Sequence, residues 1–82
     1  MNRITKFGVL PILRGLEGKF SPLRVVHAGS ADEAKRKADV FANVVGGAVA
    51  FSKTGYPDHD HWDDTVILGC CGEVPEAIKG AV

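Results

Sequence analysis

Residues 30–53, SADEAKRKADVFANVVGGAVAFSK, contain in one run a helix start, a helix stop and the opening of a strand. Ser30 followed three positions later by Glu33 reads as a capping box, in which Ser30 and Glu33 satisfy each other's orphan backbone amides. Ala31, Ala34, Ala38, Phe41, Ala42 and Val45 then recur at helical spacing on one stripe, with Lys35, Arg36, Asp39 and Asn43 elsewhere. Gly46 and Gly47 end the helix. A stripe made mostly of alanine lets the helix lie close to a sheet, with Phe41 as its one large anchor, so the sheet is expected to supply the bulk. The strand Ala48–Lys53 alternates Val49, Phe51 and Lys53 with Ala48, Ala50 and Ser52. Its thin face is expected to meet a neighbour or water.

Upstream, Leu23 to Ala28 reads as a strand, preceded by a connection rich in turn residues (Gly15, Gly18, Ser21, Pro22) and by a first strand over Ile4 to Leu13. Downstream, Thr54 to Asp63 reads as the long loop of a hairpin whose return strand is Thr65 to Cys71. Gly72 breaks that strand, and Pro75 opens a last helical turn through Lys79. The expected fold is α+β: a two-layer sandwich in which a four-stranded, mostly antiparallel sheet of order β-β-α-β-β carries one amphipathic helix, with a short C-terminal helical turn. The β-α-β unit is expected to be a right-handed crossover with a slot for the last strand between its parallel strands.

The chain has 82 residues, 45% hydrophobic and 24% charged, which is globular composition and sets it apart from intrinsic disorder. Its length points to one domain, residues 1–82, with a small core that self-association would reinforce. Cys70 and Cys71 are adjacent and cannot supply the loop-closing bridges of small secreted domains, which suits a reducing, cytoplasmic setting. The apolar run Phe7 to Leu13, behind Arg3 and Lys6, is too short and too interrupted by Pro11 to read as an export signal or a membrane span.

The net charge is zero, yet residues 1–28 carry +4, residues 29–53 carry +1 and residues 54–82 carry −5. Folding is expected to bring the two ends together and cancel this gradient. A neutral total argues against nonspecific nucleic-acid binding, which draws its affinity from neutralising phosphates.

The densest supply of reactive side chains is Asp58-His59-Asp60-His61-Trp62-Asp63-Asp64. In an extended segment His59 and His61 point to one side, and with Asp58 and Asp60 they form a possible set for a divalent transition metal such as zinc. Hairpin loops also collect Asp, Gly, Pro and His for turn-forming reasons, and the spacing does not fit a calcium loop. Tyr56 and Trp62 beside Asp63 and Asp64 have the composition of a partner-binding surface. On a strand, Cys70 and Cys71 face opposite ways, so one is expected in the core and the other in solvent. His27 would serve a reactive cysteine as base only if the two strands pair. Phe51 is expected in the core instead of on a nucleic-acid stacking platform with Lys53 and Tyr56, because the chain has only six aromatic residues.

These residues favour a non-enzymatic module that binds a protein partner or its own copy as a homodimer, through the thin sheet face and the Tyr56 to Asp64 loop, without a cofactor. The alternative is a small metal-binding or metal-responsive domain built on the Asp58 to Asp64 loop. An enzyme is the weakest reading, since so short a chain offers little depth for a site.

Overall fold

The computed structural model describes residues 3–59 and 61–79. It is an α+β fold in which a curled, wholly antiparallel sheet forms a half-barrel against one long helix. The strands are β1 (Ile4–Arg14), β2 (Phe20–Pro22), β3 (Val26–Ala28), β4 (Gly46–Tyr56), β5 (His61–Trp62) and β6 (Val66–Gly72). The helix α1 (Ala31–Val45) joins β3 to β4, and a single turn, α2 (Glu76–Lys79), follows β6.

The long strands β1 and β4 pair over ten positions, from Ile4 opposite Gly55 to Leu13 opposite Gly46. β2 and β3 line the outer side of β1, and β5 and β6 line that of β4. Among the described residues the sheet thus has six strands in the chain order β-β-β-α-β-β-β, followed by the terminal turn; the expected four-stranded β-β-α-β-β sandwich is corrected on this point. Each outer column is broken in two. The stretch read as one strand over Leu23 to Ala28 pairs only from Val26, while the supposed turn region contributes Phe20–Pro22. The hairpin loop contributes His61 and Trp62 to pairing with Tyr56 and Gly55.

The split crossover is present with a different occupant. β3 and β4 both run antiparallel to β1 and flank it, so they are parallel to each other, and the slot between them holds the first strand and not the last.

The start of α1 follows from its sequence. The Ser30 hydroxyl accepts a hydrogen bond from the Glu33 amide at 3.1 Å, and the Glu33 carboxylate accepts one from the amide of Gly29. Lys37, one turn on, sits 3.3 Å from the Glu33 carboxylate and donates to the His27 carbonyl at 3.0 Å, tying the helix to β3. At the other end Gly46 takes φ +117°, a conformation that L side chains resist, and its amide caps the helix on the Ala42 carbonyl.

The thin face of β4 is the one that meets the helix, contrary to expectation. Ala34 and Ala38 are fully buried with Ala48, Ala50 and Val9, and Phe7, Ala28, Phe41, Leu68 and Cys71 pack around them. Small residues meet small residues, and the bulk comes from the rim of this interface instead of from its centre. The large residues of β4 lie on the opposite face, where Val49 and Ile12 are fully buried and Leu10 and Phe51 nearly so.

The charge gradient is partly cancelled by folding, as expected: Arg3 pairs with Asp63, and Arg14 pairs with Glu73 at 2.8 Å. Among the described residues no helix is long and apolar enough to cross a membrane.

Candidate binding site

The site is best built from the face of the sheet turned away from α1. Gly8 on β1 lies between His27 of β3 and Phe51 of β4, and Ile67 of β6 continues the same row. Gly8 carries no side chain, so the Phe51 ring leans over it: a Cβ added there would lie 2.8 Å from the ring Cζ. This ring is the floor of a cleft of about 230 Å³, with Val25 and His27 on one side and Trp62 on the other.

One row outward, Lys6 and Lys53 stand directly opposite each other on the same face. Like charges in that relation repel. The Lys6 ammonium lies 5.4 Å from the centroid of the Trp62 ring, within cation–π range, which holds it at the cleft. Among the described residues no carboxylate lies within ion-pair distance of either ammonium; the acids that pair do so elsewhere.

Trp62 reaches the cleft because β5 runs close beside the end of β4. Gly55 allows this approach, since a side chain there would collide with the His61 carbonyl oxygen and the Trp62 backbone. The Asp63 amide donates to the Thr54 carbonyl at 2.8 Å and extends the clamp. Apolar side chains on the same face remain accessible around the cleft: Val25 at 43%, Ile67 at 39% and Ile4 at 37% exposure.

The residues singled out from the sequence are only partly brought together. Trp62 lines the cleft, whereas Tyr56, paired with His61 one position along, points to the other face of the sheet. Asp63 is engaged by Arg3, and Asp64 is exposed in the segment between β5 and β6. Lys6, Gly8, Val25, His27 and Lys53 also line the cleft, although no local sequence motif links them. The signal that would have found them is the register of β1 on β4, which aligns two lysines one row from a Gly–Phe pair.

The possible metal set is dispersed differently from the extended segment expected. Asp58 and His59 sit in a 3-10 turn over Pro57–His59, while His61 belongs to β5, so the two imidazoles do not share one extended run. Asp60 lies outside the described residues. Among the described residues there is no group of three or more His, Cys, Asp or Glu side chains placed to hold a metal ion.

The cysteines divide as their alternation requires. Cys70 is exposed, and Cys71 is half-buried against the helix-side core, where burial first and the nearby Asp39 charge second push its thiol pKa up. His27 cannot act on either through strand pairing, because β1 and β4 lie between β3 and β6.

Comparison of the chain with protein-family models, with curated proteins and with solved structures found no match.

Proposed function

We propose that this chain is a non-enzymatic protein-interaction module whose contact surface is the sheet face turned away from α1, centred on Trp62 and Phe51. The observation that carries this reading is the position of accessible apolar side chains, Ile4, Val25 and Ile67, around a cleft lined by two aromatic rings. Clustered apolar surface of this kind is costly to leave in water and marks contact sites. An aromatic and a lysine stem give a contact both apolar area and a polar tip.

The expected thin-face surface is replaced in this reading, since α1 covers that face. Of the Tyr56 to Asp64 loop, Trp62 stays in the surface. A cleft of about 230 Å³ falls below the roughly 300 Å³ at which small-molecule and cofactor pockets begin, and is nearer the size of one bulky side chain. That scale favours an anchor residue of a protein partner.

The test is selection of binders from a random peptide display on the purified chain, followed by sedimentation of the chain alone to separate a foreign partner from a second copy. Binders are expected to lose affinity for Trp62→Ala and to keep it for Val44→Ala, on the exposed side of α1. Binders indifferent to Trp62→Ala would overturn the reading.

A further inference from the structure

Resting on that reading, we infer that the cleft takes an acidic segment of a protein partner: an aromatic side chain settles against Phe51 and Trp62 while a carboxylate beside it bridges Lys6 and Lys53. The starting point is the direct pairing of the two lysines across β1 and β4. The side-chain roots of such a pair stand only about 5 Å apart, so both ammoniums are within reach of one carboxylate placed between them. A carboxylate offers two oxygens and accepts from both at once, turning a repulsive pair into two charge-assisted hydrogen bonds.

The apolar part of the ligand is set by what lies next to the charges. Phe51 floors the cleft, and the Trp62 ring, already held under Lys6 at 5.4 Å, closes one side. An anion with no apolar body would leave this surface wet, and an apolar group with no charge would leave the lysines repelling. The volume admits one aromatic side chain, so the complementary unit is an aromatic residue with a neighbouring aspartate or glutamate.

A nucleic acid fits less well. Its backbone repeats its charge and gains affinity from each phosphate neutralised, whereas this site offers only two lysines in a molecule of net charge zero. A short acidic peptide has no repeat to extend past the cleft.

The experiment is an amide-resolved NMR titration of the intact chain with two peptides, acetyl-Glu-Asp-Phe-Asp-Glu-amide and its neutral counterpart acetyl-Gln-Asn-Phe-Asn-Gln-amide, and with hexathymidylate. The acidic peptide is expected to shift the Lys6, Gly8, Phe51, Lys53 and Trp62 amides saturably. It should bind at least about tenfold more tightly than the neutral one, the scale of a hydrogen bond to a charged group. Lys53→Met should remove most of that difference, and Lys53→Arg, which keeps the charge, should retain it.

Equal binding of the two peptides, lost on Trp62→Ala, would overturn the charge inference while leaving the docking surface standing. Tighter binding of hexathymidylate than of the acidic peptide would overturn it in favour of a nucleic-acid site. Absence of shifts with every probe would overturn it too, and the display selection would then decide the docking surface by itself.

Discussion

Single residues hold this molecule's most exacting geometry. Gly46 joins α1 directly to β4 at φ +117°, and a Cβ there would also lie 3.0 Å from the Arg14 Cβ. Gly46→Ala should therefore destabilise the fold by about 1–3 kcal/mol, the cost of a residue held in a disfavoured backbone region, read as a lower urea midpoint. The two cysteines give a second prediction at this scale. Cys70 is exposed, whereas Cys71 packs at the core with its thiolate disfavoured. Iodoacetamide should label Cys70 first and Cys71 only slowly, as peptide mass spectrometry would resolve. Equal rates would mean that β6 does not hold its register on β4.

Among the elements, α1 was the most legible in the sequence, because its signals are local. Ser30, Glu33 and Gly46 each act within a few residues of the helix end they define; Ser30 and Gly46 take the predicted role, while the Glu33 carboxylate accepts from the Gly29 amide, one residue before the Ser30 amide expected of a capping box. The Gly29 amide, first, and the Lys37 ammonium, next, hold the Glu33 carboxyl below its ordinary value. A lowered folded-state value means that this contribution to stability is complete above the unfolded carboxyl's range and is lost as pH falls through the folded value. Unfolding midpoints measured below about pH 4.5, the ordinary value, should therefore fall less steeply for Glu33→Gln than for the native chain. Identical slopes would mean that this carboxylate does not support the helix start.

Which face of β4 meets the helix was not legible. Alternation separates Ala48 and Ala50 from Val49 and Phe51, but either set can be turned toward α1, and that choice depends on pairing with a strand some forty residues away in sequence. The close contact of Ala34 and Ala38 with Ala48 and Ala50 predicts that Ala38→Leu costs about 1–3 kcal/mol by overpacking, measured by chemical denaturation. A neutral effect would place α1 farther from the sheet.

Over the whole molecule, the long β1–β4 register makes the cleft, and for that reason the sequence concealed it. Trp62 stood out as an aromatic beside acids, yet its neighbours at the site come from β1, from the segment entering β3 and from β4, and none is adjacent to it in the chain. The split outer columns were hidden for the same reason: Phe20–Pro22 and His61–Trp62 are too short to show a period, and they become strands only because a long neighbour offers free backbone groups.

A site that keeps two lysines facing each other also predicts a conflict between stability and binding. Lys53→Glu should make the isolated chain more stable by about 0.2–1 kcal/mol, the scale of a cross-strand charge pair, while weakening capture of an acidic partner. Thermal unfolding of the two chains would show the first effect. Trp62 is the only tryptophan in the chain, so its fluorescence reports the cleft directly. The most direct test is a titration of that fluorescence with acetyl-Glu-Asp-Phe-Asp-Glu-amide: a saturable change whose midpoint moves to about tenfold higher peptide concentration in Lys53→Met is the predicted result, and an emission that stays constant across the titration would contradict it.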